Sequence, residues 1–332
     1  MRWLLAIALL VVALAGCGGE PEPSGPADRF LERYVDDDGR VVRLDQGGDT
    51  VSEGQAYAML LAVAEDDEDR FEEVWSWTRE HLQRRDRLLA WRWANGRVVG
   101  RQPASDADLD AARALLAAGR RFREPRYTDA GRALGQAIAA HETTDAANKT
   151  VHVAGPWARS KAVVNPSYWS PRAYADLGFT DAAAAARRLT QRLTEDALPP
   201  DWARVEEWGI VPSPAPSGAP AAYSFDAARV PIRLAASCDP ADRAAAARLW
   251  PRLQVDPGAS KRALDGRPLA DDEHPAMLAG AAAAAFAAGH RRSADRLLAR
   301  AERLVAQRPT YYGAALTALT EVMVRGSALG RC

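Results

Sequence analysis

Apolar residues recur at three- and four-residue spacing along almost the whole chain beyond its first two dozen residues, and Ala and Leu fill most of those positions. That period is helical, and both residues are good helix formers. The pattern predicts twelve helices, at about 28–34, 52–64, 68–83, 106–119, 127–142, 167–177, 181–195, 224–237, 240–250, 273–287, 290–306 and 311–325. Only 40–44 and 97–101 read as short hairpin strands.

The connections fall into two kinds. Those after even-numbered helices are short, such as 65–67 and 178–180, whereas most odd-numbered helices are followed by long ones: 35–51, 84–105, 143–166, 196–223 and 251–272. If the helices alternate in direction, every long loop lies at one end of the molecule, together with the N-termini of the even-numbered helices. The expected fold is therefore all-α, an (α/α)6 barrel of six inner and six outer helices. Its inner N-termini would face a loop-walled cleft and give it a positive field. A helical solenoid fits less well, because no regular period recurs.

The first residues do not belong to this pattern. Met1-Arg2-Trp3 is a short basic segment, 4–14 is apolar, and Leu14-Ala15-Gly16-Cys17 has the form of a lipobox. The apolar run is short of the roughly 20 residues that span a bilayer, so 1–16 resembles a bacterial lipoprotein signal. Cys17 would then carry lipid, 17–26 (Gly- and Pro-rich) would be a tether, and 27–332 one exported domain outside the cytoplasm. The lipid anchor would be its sole membrane attachment, and a monomer is expected.

Composition adds exclusions. A net charge of −1 gives no support to a nucleic-acid partner. No His or Cys cluster suggests a metal, and no organic cofactor is implied. Cys238 and Cys332 could pair in an oxidising compartment.

Three segments carry the chemistry: TVSEGQAYAM, ASDADLDAARALLAAG and YSFDAARVP. Each places a carboxylate (Glu53, Asp106, Asp226) in the first turn of an expected inner helix, just after a Ser fit to cap it, Ser52, Ser105 or Ser224. Inner-helix starts also supply Asp108, Tyr168, Arg229, Glu273 with His274, and Tyr311 with Tyr312. The long loops add Trp91, Trp93, Trp157, Trp202 and Trp208. Acids in the floor of a cleft with indoles along its walls suit a carbohydrate chain, whose C–H faces stack on aromatic rings. Acids also favour helix first turns through the dipole alone, and Ser105 with Asp108 reads as a capping box. Trp75, Trp77 and Trp250 read as core, and the Asp36-Asp37-Asp38-Gly39 run as a solvated turn.

The segments VSEGQAYAMLLA, ASDADLDAARALLAAGRRF, NPSYWSPRAY and YSFDAARVPIRLA resemble glycoside hydrolase family 8 in order, spacing and local sequence, over roughly 28–325. Within it the chain looks most like the bacterial cellulases associated with cellulose synthesis. The resemblance implies an inverting endo-hydrolase of a β-1,4-linked polysaccharide on an (α/α)6 barrel, with cellulose or a related β-glucan favoured over chitosan or xylan. It implies Glu53 as general acid, Asp226 as base for the attacking water, and Asp106 as the acid that holds the sugar at the cleavage subsite. Asp108, Tyr168, Arg229, Trp91, Trp93, Trp157 and Tyr312 would line the substrate path. Ala112 and Arg113 depart from the bulkier residues the family pattern suggests. The 196–223 loop is unusually rich in Pro and Ala. A catalytically silent glycan-binding lipoprotein and a polysaccharide lyase are the rival readings.

Overall fold

The computed structural model describes residues 25–326 and residue 329. Cys17, the lipobox and Cys332 lie outside them. Within them are twelve α-helices: α1 (Pro26–Tyr34), α2 (Ser52–Ala64), α3 (Glu68–His81), α4 (Ser105–Arg121), α5 (Pro125–His141), α6 (Pro171–Leu177), α7 (Thr180–Leu193), α8 (Arg229–Ala235), α9 (Pro240–Leu253), α10 (Pro275–Ala287), α11 (Arg291–Gln307) and α12 (Tyr311–Thr320), the last continued by a π turn to Arg325.

Even-numbered helices pack on one another in a closed ring, α2 on α4, α4 on α6, and so round to α12 on α2, while odd-numbered helices pack outside them. The sequence of each class explains its place. α11 buries Ala294, Leu297, Leu298, Ala301 and Leu304, a single stripe at three- and four-residue spacing, and turns its charged residues to solvent. α10 (PAMLAGAAAAAFA) is buried on all sides. Its small residues let neighbouring backbones come close: a Cβ at Gly280 would stand 2.5 Å from the Ala228 carbonyl oxygen. That contact fixes the distance between α10 and the turn that leads into α8.

The long connections gather at the N-terminal end of the inner helices and partly fold as small sheets. Arg92–Ala94 and Arg97–Gly100 form a hairpin, extended by Thr50–Val51 at the mouth of α2. Thr143–Ala146 pairs with Lys149–His152, and Val163–Val164 with Ala203–Glu206, which pairs in turn with Gly209–Pro212. Of the two expected strands, 97–101 matches the first hairpin. The 40–44 segment makes only single bridges, Val41 with Val35 and Arg43 with Asp49. Two helix starts also move. Pro171, with Ser170 as its N-cap, begins α6, which leaves Pro166–Tyr168 as a separate 3-10 turn. α8 begins at Arg229 rather than near 224. The Trp75 and Trp77 side chains are buried in α3, as their helical spacing suggested.

Candidate active site

One guanidinium organises the centre of the cleft. Arg229, the first residue of α8, is 2 % exposed. Its Nη1 donates to Glu53 Oε2 and Asp106 Oδ2, both at 2.6 Å, and to the Tyr57 hydroxyl at 3.1 Å. Its Nη2 donates to Asp226 Oδ1 at 2.7 Å, and its Nε to Ser167 Oγ at 3.1 Å. Three acids delivered by the starts of α2 and α4 and by the turn before α8 therefore meet on a single cation. Below this layer the pattern repeats one helical turn down. Arg233 binds Asp110 bidentately at 2.8 and 2.7 Å. Residues four apart share a helix face, so the Asp106/Asp110 face of α4 meets the Arg229/Arg233 face of α8.

The charge count decides the protonation. Three carboxylates on one guanidinium cannot all stay ionised cheaply in a buried site, because like charges disfavour one another and burial disfavours each. Burial pushes Glu53 up to about 7, with Asp106 and Asp226 adding to the rise and Arg229 opposing it. Burial also raises Asp106 and Asp226, against the pull of Arg229 on both. The three differ in their surroundings. Asp226 is the most open, at 31 % of its side chain, and Asn165 Nδ2 donates to its Oδ2 at 2.9 Å, which favours the ionised form. Glu53 Oε1 has only the Tyr311 hydroxyl at 3.4 Å. Asp106 Oδ1 is buried with no hydrogen-bond partner.

Aromatic residues leave this centre in two directions around the ring of helices. Tyr168 lies under the Arg229 guanidinium at 5.2 Å. Trp202 stands at 6.0 Å from Tyr168, and Trp157, 42 % exposed, at 6.2 Å from Trp202. On the other side Tyr312 donates to the Phe225 carbonyl at 3.0 Å, and the Phe225 ring meets His274 at 4.9 Å. Trp91 is exposed on the rim, beside Gly100, where a Cβ would strike its indole.

Residues 6–325 match the family described as glycosyl hydrolases family 8. The chain belongs to glycoside hydrolase family 8. A "Probable endoglucanase" of Novacetimonas hansenii is 32 % identical over 67 % of this chain and 70 % of that protein. An "Endoglucanase" of Salmonella typhi is 33 % identical over 62 % of this chain and 61 % of its own length. Among solved structures, an endo-beta-1,4-glucanase from Acetobacter xylinum is 27 % identical, with a TM-score of 0.75 over 90 % of this chain and 96 % of the other. A beta-1,3-1,4-glucanase from Paenibacillus sp. X4 superposes with a TM-score of 0.80 at 18 % identity, a likeness of fold. The chain is thus a glycosidase of family 8, and its twelve helices are that family's (α/α)6 barrel.

Not every residue expected in this family 8 cleft is found there. Asp108 is fully buried, and its Oδ1 accepts the Leu89 N–H at 2.8 Å. Residues two apart on a helix point to different faces, so Asp108 anchors the loop before the first hairpin while Asp106 meets Arg229. Beside Asp108 lies buried Glu142; burial above all holds both acids well above the usual carboxylate range, with the Asp106 charge adding to the rise of Asp108 and the Asp108 charge to that of Glu142. Trp93 packs edge-on to Trp77 at 5.5 Å with Arg40 stacked over it at 4.5 Å, which commits it to the wall and not to a sugar. None of the three serines caps its helix. Ser52 is already the first helical residue, and its N–H reaches the Trp91 carbonyl. Ser105 Oγ donates to the Val153 carbonyl. The Ser224 turn is held by Asp201, whose Oδ1 accepts the N–H groups of Ser224 (3.0 Å) and Ala227 (2.8 Å). His274, expected among the cleft residues, caps α10 through Nδ1, and Glu273 pairs with Arg300.

The family 8 site also contains residues that the sequence reading passed over. Tyr57 lies one turn after Glu53, and that spacing alone points it toward the same partner. Asn165 stands inside the quoted NPSYW segment, yet only the fold shows that it orients Asp226. Asp201 had no local signal, since its partners lie more than twenty residues away.

Proposed function

We propose that the chain is an endo-acting, inverting hydrolase of a β-1,4-linked glucan, cellulose or a close relative, with Glu53 as general acid and Asp226 as general base. The observation that carries this reading is the trio of acids on Arg229, with aromatic rings leading away on both sides. A polymer lying across the centre would stack on Tyr168, Trp202 and Trp157 at one side and meet Tyr312 and Phe225 at the other. Sites on both sides of the acids suit cleavage within a chain. The names of the relatives, endoglucanases and an endo-beta-1,4-glucanase, favour the substrate class.

In the proposed step Glu53, held protonated by burial, gives its proton to the glycosidic oxygen as the bond from that oxygen to the anomeric carbon breaks. Asp226 takes a proton from a water whose oxygen attacks that carbon from the opposite face. Asp226 ends protonated and Glu53 ionised, and solvent restores both. Glu53 and Asp226 bind the same guanidinium at 2.6 and 2.7 Å, which keeps their nearest oxygens less than about 8 Å apart. Inverting glycosidases need roughly 6.5–9.5 Å between the two carboxyl groups to admit a water. Asp106 Oδ1 would accept a hydroxyl of the distorted sugar. Tyr168 and Arg229 position the base.

Export and tethering through Cys17 belong to the same proposal, supported by the Leu14-Ala15-Gly16-Cys17 sequence. Among the described residues no helix is long and apolar enough to cross a membrane. Action as a monomer is part of the proposal as well.

The test is release of new reducing ends from carboxymethyl-cellulose, mixed-linkage glucan, chitosan and xylan, with a parallel fall in viscosity. Hydrolysis of the two glucans with early viscosity loss is expected. Binding to a glucan without turnover of any polymer would replace the enzyme by a silent glycan-binding protein.

A further inference from the structure

Arg113, two turns along α4 from Asp106, is a buried charge whose one ion pair, with Asp176, is long. It is 2 % exposed, and its Nε and Nη1 are buried with no hydrogen-bond partner. The nearest carboxylate oxygen, Asp176 Oδ2, is 3.8 Å from Nε, and the other oxygen of Asp176 accepts from Arg120 at 3.2 Å. The remaining acids nearby are engaged elsewhere: Asp110 is held by the two terminal nitrogens of Arg233, and Asp242 by Arg187 and Ser237. A buried cation left this way is costly, and burial pushes the Arg113 pKa down to about 10.

Arg113 lines a cavity of about 550 Å³ at the end of the barrel away from the catalytic trio, where α8, α10 and α12 finish. Arg172 and Arg243 also line it, and no Asp or Glu does among the described residues. Arg243 uses Nη1 on the Ser237 carbonyl at 2.7 Å, while Arg172 reaches Cys238 Sγ and the Leu329 carbonyl. Apolar side chains, Phe286 and Met323 among them, complete the lining. Cys238 beside it is disulfide-bonded.

We propose that this cavity is an anion site, in which Arg113 and Arg243 bind the head of a small oxyanion and the apolar side chains take any hydrocarbon attached to it. A planar guanidinium matches a carboxylate or phosphate in two-point geometry, and such a guest would give Arg113 a closer counter-charge than Asp176 at 3.8 Å. The site is separate from the catalytic trio and independent of the substrate assignment.

Titration calorimetry and thermal unfolding of the full chain, with inorganic phosphate and with hexanoate as separate probes, test this. Saturable binding of at least one probe is expected, with a melting temperature that climbs with its concentration. Phosphate binding alone would identify an inorganic oxyanion, and tighter hexanoate binding a carboxylate with an apolar tail; both support an anion site. Arg113→Met keeps much of the volume and removes the buried charge. It should weaken binding by about tenfold or more without lowering the ligand-free melting temperature. Arg243→Ala, on the accessible side, should weaken binding in a protein that folds and hydrolyses normally. Absence of saturable binding for both probes would overturn the proposal, as would affinity unchanged in both variants.

Discussion

Glu53→Gln lowers kcat on a soluble β-1,4-glucan by about a thousandfold, within the range for loss of a general acid, and changes KM by less than about threefold. The reason lies in what Gln keeps and what it loses. Its oxygen can still accept from Arg229, so the cleft and its aromatic walls stay formed. It has no acidic proton for the leaving oxygen, so the loss falls on the transition state and not on ground-state binding. The pH profile carries the same signature. Glu53 must be protonated to act, and its pKa stands at about 7, so kcat/KM of the native chain falls as pH rises through that value. The limb belongs to the three coupled acids and not to Glu53 alone. In the variant the residual rate loses that alkaline limb. Steady-state kinetics from pH 5 to 9 on both proteins checks the two statements together. Full activity in Glu53→Gln would end its assignment as the acid.

Removing the cation should be as damaging as removing the acid, and through a different route. Arg229→Met leaves Glu53, Asp106 and Asp226 facing one another with their shared partner gone. Breaking a buried ion network from one side typically costs about 3–5 kcal/mol, and the carboxylates involved are 22, 4 and 31 % exposed. All three acids then titrate higher than in the native chain, because the one group that lowers each of them most has been removed. A carboxyl whose folded pKa exceeds its unfolded value favours the folded state below the unfolded pKa, and that contribution is lost as pH rises through the folded one. The destabilisation of Arg229→Met is therefore greater at pH 8 than at pH 5, measured as a shift in urea midpoint. Turnover falls with it, since Asp226 loses its ionised form and its orientation. Arg229→Lys restores a charge but not the planar fork that spans three acids, and should recover stability better than rate. Equal urea midpoints for Arg229→Met and the native chain at pH 8 would show that the cation does not hold the trio.

The helices were legible because their periodicity is local. α11 shows its stripe in any seventeen-residue window, and the uniform Ala of α10 marks an inner helix. The alternation of short and long loops placed Glu53, Asp106 and Asp226 at one end before any contact was known. The ring then brings all three onto one Arg229 nitrogen pair. What the sequence did not reveal is non-local. YSFDAARVP has the look of a helix start, but Asp201 holds its first residues in a turn and delays α8 to Arg229. Asp106 and Asp108 look equivalent in ASDAD, and only the packing of α4 sends one to the cleft and the other under Leu89. Trp91 and Trp93 differ likewise, one on the rim and one against Trp77. The two missed hairpins, at 143–152 and 203–212, are strands of four residues inside long loops, too short to show a period.

The central claim is that Glu53 and Asp226 act on opposite faces of the sugar in a single displacement. The most direct measurement follows the anomeric proton of the first product by NMR during hydrolysis of a β-1,4-linked cello-oligosaccharide, before mutarotation mixes the anomers. Early appearance of the α-anomer is the expected result, since water delivered by Asp226 attacks opposite the departing β-oxygen. Early appearance of the β-anomer would mean a double displacement and would contradict the roles assigned to both residues.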